Sequence, residues 1–447
     1  MKTAASLARV VGLWGAVWMG LGSILGTGVF VSLGIAAGVI GHGLLWAVAL
    51  AALVAIANGL SSAQLAAAHP VSGGTYEYGH TFIHPVAGFS AGWMFLAAKS
   101  ASAATAALGF AGYLLHTIGL TDRLSTRVGV ALGLVLLLTA LVASGLKRSN
   151  AANIVIVSST LITLSIFVVF GWLSIDHSIL SERLSSNHPT DRSGLAMGLF
   201  VESWSGLESI SGLLHATALM FVAYTGYGRI ATLGEEVREP ARTIPRAIIA
   251  TLLISMTLYI TVSLTAVAVV GADAFAASTQ SAAAPLEVVA RAFAYPQVAW
   301  AVAIGAVTAM AGVLLNLLLG LSRVLLAMAR RREMPASLDY VRQDNSSPTR
   351  AVWAIGALIG GLVLLGDLKT TWSFSAFTVL IYYGLTNWAA LRLPGKSRRY
   401  PRWISVAGLI SCLGLAFFVD PKVILAGLSL LALGLLVRLA MLRQPSA

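Results

Sequence analysis

The feature that most constrains this chain is a series of long apolar runs, about a dozen, that together cover most of its 447 residues. Stretches such as Val128 to Ala143 and Val423 to Val437 are apolar almost without a break. Inside hydrocarbon a helix satisfies its own backbone hydrogen bonds, and it needs roughly 20 apolar residues to cross. Membrane β-strands instead alternate apolar and polar positions over short segments, so these runs predict an all-α membrane protein. Spans are expected near 11-37, 43-68, 84-116, 126-145, 151-175, 208-232, 246-271, 297-330, 351-365, 372-393, 402-418 and 422-441. Only 10% of the residues are charged, against about 25% in a soluble domain. The first run extends from Val10 beyond Ala37, too long for the apolar core of a cleaved signal peptide. Cys412 is the only cysteine, which excludes an intrachain disulfide and a thiolate metal cluster.

The net charge of +12 has a simple source. On these spans, with the N-terminus inside, nineteen of the 29 basic residues fall on one side. Seven fall on the other: Arg123, Arg127, Arg183, Arg192, Arg291, Lys369 and Lys422. Lys99, Arg229 and Arg323 lie within spans or at their edges. The positive-inside rule then predicts that both termini are cytoplasmic in a plasma (inner) membrane. Anionic lipid and topology account for the basicity without nucleic acid.

Two runs carry glycines where a helix does not favour them. Span 1 contains Gly22-Ser23-Ile24-Leu25-Gly26-Thr27-Gly28 midway along its length, and span 6 contains Phe221-Val222-Ala223-Tyr224-Thr225-Gly226-Tyr227-Gly228. In span 1 alone, Gly22 and Gly26 four residues apart also suit close helix packing. Interruptions at matching places in two halves point instead to an inverted-repeat transporter. Backbone unwound at mid-bilayer is tolerated only where it lines a cavity or binds something. An amino acid zwitterion suits such a place. Half-helix N-H groups favour its carboxylate, and freed carbonyls accept from its ammonium group.

These segments resemble the amino acid-polyamine-organocation (APC) family of permeases. The resemblance rests on Gly22, Ser23, Gly26 and Gly28 in span 1, and on Pro70, Ser72, Gly73, Gly74, Tyr76 and Tyr78 after span 2. It continues through Gly226, Tyr227, Glu235, Glu236, Pro240 and Pro245, and through Ser322-Arg323-Val324 with Ala327-Met328-Ala329-Arg330. Thr232-Leu233-Gly234-Glu235-Glu236 is most similar to the branch with cationic amino acid transporters. The resemblance implies a LeuT-type fold of 5+5 inverted repeats with about 12 transmembrane helices. Residues 11-205 would form the first repeat, 206-395 the second, and 396-447 two additional C-terminal helices. It further implies a substrate site at Ser23, Ile24, Gly26, Thr27, Gly28 and at Val222, Ala223, Tyr224, Thr225, Gly226, Tyr227. Thr27 and the Gly28 amide would hold the carboxylate, and the carbonyls of Ile24, Val222 and Thr225 the amino group. Tyr224 and Tyr227 are candidates to line the cavity, although membrane-helix aromatics often only pack. Gly228 stands where many members carry a polar group.

Lys99 is the one plainly mid-bilayer charge, and a lysine there costs roughly 2.5–3.5 kcal/mol on insertion scales. It lies deep for snorkelling. Removal from water disfavours an ammonium, which makes Lys99 a candidate to load and release a proton. Some proton-coupled members of the family place a lysine on helix 5 in lieu of sodium. Here Thr160, beside Ser159, takes that place. Either Lys99 carries the ammonium role, or Ser159 and Thr160 leave room for a cation or for no coupling. His69, His80 and His84 form no metal cluster pattern, and no phosphate cradle is present, so neither a cofactor nor ATP-driven transport is expected.

The expectation is a secondary active amino acid permease working by alternating access, possible partners being protons and the lipid bilayer. The side-chain charges favour neutral substrates. Alternatives are an exchanger or a non-transporting sensor of the same fold. A membrane-embedded transferase would need buried acid/base groups, and no carboxylate or paired histidine stands mid-span.

Overall fold

The structure is a computed structural model that describes residues 11–71, 73–120, 123–144, 150–175, 207–232, 234, 236–281, 284–342 and 347–443. Ser72, Leu233 and Glu235 of the motifs, with Lys2, Arg9, Lys147, Arg148, Arg183 and Arg192 of the charge count, lie outside the described residues.

The helices follow the apolar runs. In the first run they are α1 (Leu13–Ile24), α2 (Thr27–Phe30) and α3 (Ser32–Ile40), followed by α4 (Leu44–Ala68) and a short α5 (Thr75–Phe82). Then come α6 (Pro85–Thr117), α7 (Leu124–Ala143), α8 (Asn150–Leu173), α9 (Leu207–Tyr224), α10 (Gly228–Ala231) and α11 (Pro240–Val270). Two short helices, α12 (Ala272–Ser281) and α13 (Pro285–Arg291), precede α14 (Val298–Arg330). The last four are α15 (Thr349–Val363), α16 (Leu368–Arg392), α17 (Arg402–Ala416) and α18 (Pro421–Arg443). Among the described residues no strand forms beyond a single bridge between Val11 and Val237. Among the described residues eight helical segments are long and apolar enough to cross a membrane, and α15 and α17 are shorter apolar helices.

Local chemistry sets the helix ends. Proline stands at the start of α6, α11 and α13, where its missing N–H leaves no gap in the ladder. Asp367 caps α16 by accepting from the Thr370 amide at 2.8 Å. Gly271, at φ 84°, closes α11 while its N–H bonds to Val267 O.

The centre of the bundle is α6, which packs against α14 and α16. Its buried face is rich in alanine and glycine, and small residues let membrane helices approach closely. A Cβ on Gly109 would stand 2.7 Å from the Met310 sulfur, and one on Gly92 would stand 2.7 Å from the Tyr76 ring. Large apolar side chains such as Leu136, Ile162, Ile304, Ile410 and Leu436 face outward, as expected where the solvent is lipid.

Candidate functional site

In the first run α1 ends at Ile24. Leu25 is extended at φ −79°, ψ 98° while its N–H still reaches Leu21 O. Regular helix resumes at Thr27, and Gly26 O takes the N–H groups of Val29 at 3.1 Å and Phe30 at 3.0 Å. The first turn therefore leaves the Thr27 and Gly28 amides without intrahelical acceptors. Thr27 is 3% exposed, and its Oγ1 has no hydrogen-bond partner among the described residues. Buried hydroxyls are usually satisfied.

In the sixth run α9 ends at Tyr224, a 3-10 turn covers Thr225–Tyr227, and α10 follows. Tyr224, Tyr227 and Gly228 all stay right-handed helical, so where a break was expected the sixth run is only tightened, and this turn meets the irregular stretch of the first run backbone to backbone. A Cβ on Gly226 would lie 2.5 Å from both C and O of Ser23, and one on Gly28 would lie 3.0 Å from Ala223 Cβ and press on the Tyr259 hydroxyl. Gly26 faces α14, where its Cβ would meet Val313 at 2.5 Å.

Side chains from five other helices hold this junction. Tyr259 Oη of α11 bridges the carbonyls of Ile24 at 2.9 Å and Ala223 at 3.1 Å. Tyr383 of α16 donates to Thr225 O at 3.0 Å. Lys99 of α6, 8% exposed, donates to Thr225 Oγ1 at 2.9 Å, which in turn donates to Val222 O at 2.7 Å. The Ile24 and Val222 carbonyls thus each accept one of these bonds and keep a second lone pair, whereas Thr225 O takes both the Tyr383 hydroxyl and the Gly228 N–H. Asn153 of α8 donates to Trp18 O and Asn316 of α14 to Gly22 O, both at 2.9 Å.

Lys99 and Thr225 are brought into direct contact. Ser159 and Thr160 are not part of that contact. Thr160 is buried and donates to its own helix at Ile156 O, 2.8 Å away, while Ser159 is half-buried. Ser23 likewise donates along α1, to Met19 O at 3.1 Å. Tyr224 and Tyr227 are fully buried, with ring centroids 4.9 Å from Tyr259 and 5.4 Å from Tyr383 respectively. Among the described residues no carboxylate pairs with Lys99.

Sequence reasoning missed Tyr259, Tyr383, Asn153 and Asn316. A polar residue at mid-run was the available signal for the two asparagines, but nothing local marks which tyrosine reaches a distant carbonyl.

Polar contacts flank the junction on two sides. At the end holding Val11, that residue's N–H bonds Glu236 O at 3.0 Å and its O accepts from Arg238 at 2.9 Å, while Arg323 reaches Glu236 at 3.5 Å. Nearby, buried Glu333 accepts from Tyr76 at 2.7 Å and from His80 and Arg438 at 3.2 Å. Burial lowers the basicity of His80, although Glu333 opposes this. At the opposite end Tyr113 donates to Phe30 O at 2.7 Å and accepts from the Leu286 amide at 3.2 Å. Glu287, 1% exposed, lies 2.8 Å from Arg291, 3.1 Å from Thr117 Oγ1 and 3.1 Å from His116. Burial pushes its carboxyl up, but hydrogen bonds and charge from His116 and Arg291 outweigh burial and hold it below the ordinary value.

Comparison with known proteins agrees with this architecture. Residues 15–445 match the family model described as "Amino acid permease". An uncharacterized transporter of Mycobacterium tuberculosis is 39% identical over 428 residues, covering 96% of this chain and 90% of that protein. The branched-chain amino acid permease BcaP of Bacillus subtilis is 27% identical, covering 92% of this chain and 86% of its own length. The human cationic amino acid transporter 4 is 28% identical, covering 85% of this chain and 58% of its own. With a family model spanning nearly the whole chain and several helices fit to cross a membrane, this protein belongs to the amino acid permease (APC) family and is a multi-pass membrane transporter rather than an enzyme.

Proposed function

We propose that the protein is a secondary active permease for neutral amino acids, working by alternating access around the Ser23–Gly28 and Val222–Tyr227 segments. The observation that carries this reading is the backbone contact of Gly226 with Ser23, beside the unpartnered Thr27 hydroxyl. Free amides, a spare hydroxyl and carbonyls with open lone pairs there match a carboxylate and an ammonium held one carbon apart. Thr27 Oγ1 and the Gly28 amide take the carboxylate, and the Ile24 and Val222 carbonyls take the ammonium; Thr225 O, expected to share it, already holds two donors.

The substrate's side-chain charge follows from Lys99. With no paired carboxylate, its ammonium repels a cationic side chain, at about 4 kcal/mol for 4 Å separation under an effective dielectric of 20. The Bacillus branched-chain permease supports a neutral substrate, and the human cationic transporter points the other way. The charge on Lys99 decides between them. In this reading Lys99 also carries the coupling proton. The chain forms twelve spans, with 11-205 and 206-395 as inverted repeats, 396-447 as two added helices, and both termini cytoplasmic in the inner membrane.

Counterflow of labelled alanine, serine, leucine and arginine into proteoliposomes tests the reading. Saturable exchange of the neutral amino acids is expected. Preferential arginine counterflow overturns the substrate class, and no counterflow of any amino acid overturns transport.

A further inference from the structure

We propose that a groove between α4, α9 and α17 is a binding site for one anionic phospholipid of the bilayer, its acyl chains in the groove and its phosphate at Arg399 and Arg402. The groove encloses about 560 Å³, within the roughly 300–1,000 Å³ range of small-molecule sites. Leu53 and Leu60 of α4, Leu214 and Thr217 of α9, and Ala407 and Gly414 of α17 contribute to its walls. Small residues hollow the α17 face, where a Cβ on Gly414 would meet nothing within 4 Å.

The groove is built to be dry. Its two hydroxyls are turned to their own helices, Thr217 donating to Leu213 O at 2.7 Å and Ser411 to Ala407 O at 2.6 Å. A buried water needs about two to four polar partners, and these walls do not offer them. Hydrocarbon does fill such a hollow, because atoms facing a void lose their dispersion contacts. Lining residues run from Trp403 to Phe418, about 22 Å along a helix at 1.5 Å per residue.

The headgroup is assigned by charge. Trp403, 68% exposed, stands at one mouth of the groove, and tryptophan favours the headgroup level. Next to it in the chain Arg399 and Arg402 are exposed, and guanidinium groups hold phosphate oxygens in a two-pronged fashion. Leu214 and Thr217 belong to the helix that runs directly into Thr225–Tyr227. A lipid in the groove therefore rests on the element that forms one side of the helix junction.

Native mass spectrometry of the detergent-purified full chain, incubated with equal phosphatidylglycerol and phosphatidylcholine, tests this. Wild type should retain one phosphatidylglycerol in preference. Replacing Arg399→Gln and Arg402→Gln, both exposed and safe for folding, should erase that preference by about fivefold per charge. Gly414→Leu with Ala407→Leu should exclude both lipids while leaving thermal stability at or above wild type. Equal retention of the two lipids by wild type overturns the proposal, as does undiminished binding to the filled groove. A wild-type dimer that the filled groove converts to monomer also overturns it, by assigning the surface to a second copy.

Discussion

Gly226→Ala is the smallest change that probes the helix junction. The added methyl would stand 2.5 Å from Ser23 C, Ser23 O and Ile24 Cγ1, where ordinary contact begins at 3.4 Å. Two of those atoms are backbone and have no rotamer to escape into, so the two segments must move apart. Overpacking of this kind costs about 1–3 kcal/mol. The movement also stretches the Tyr259 bridge between Ile24 O and Ala223 O, each bond contributing about 1 kcal/mol. Where that strain falls on the arrangement seen here, substrate transport loses roughly 5–150-fold in Vmax/KM, the factor that corresponds to 1–3 kcal/mol. The assay is uptake into proteoliposomes normalised to inserted protein, beside Gly129→Ala, whose methyl would meet nothing within 4 Å. Gly129→Ala should match wild type. Wild-type Vmax/KM in Gly226→Ala would refute the claim that backbone contact at this point matters to transport.

Four further outcomes are expected. Lys99→Ala should keep equilibrium substrate binding but lose accumulation driven by an inward proton gradient, and Lys99→Arg should behave as a permanently charged carrier. Wild-type accumulation by Lys99→Ala would make Lys99 structural and turn attention to Ser159, Thr160 and sodium. Tyr259→Phe removes one hydroxyl that serves two carbonyls and should slow transport several-fold without loss of protein from the membrane; unchanged kinetics would mean the bridge only fills space. Asn316→Ala leaves Gly22 O unpaired, so thermal stability should fall by about 1–3 kcal/mol, and an unchanged melting temperature would show that the carbonyl finds another donor. Glu287, held below the ordinary carboxylate value, stabilises fully above about pH 4.3, and this stabilisation is lost as pH falls through the folded-state value. Glu287→Gln should therefore melt lower at neutral pH and show a shallower acid dependence, and the same acid slope in both proteins would remove Glu287 from that role.

Apolar run length alone located the helices, because lipid demands that each crossing segment satisfy its backbone internally, and that demand is written locally in stretches such as Leu44–Ala68 and Pro85–Thr117. Glycine placement likewise marks Gly22–Gly28 and Phe221–Gly228 as unusual in the sequence itself. The short helices Thr75–Phe82, Ala272–Ser281 and Pro285–Arg291 had no such signature, since they carry too few apolar residues to stand out from loops. What no run of sequence contains is who meets whom. That Gly226 abuts Ser23, that Lys99 reaches Thr225 across 126 positions, and that Tyr259 spans 235 positions to Ile24 depend on packing between distant helices. The carbonyls freed by irregular backbone near mid-span must find donors somewhere. Only the tertiary arrangement determines that the donors are Asn316, Tyr259 and Tyr383 rather than the many other polar residues in the same spans.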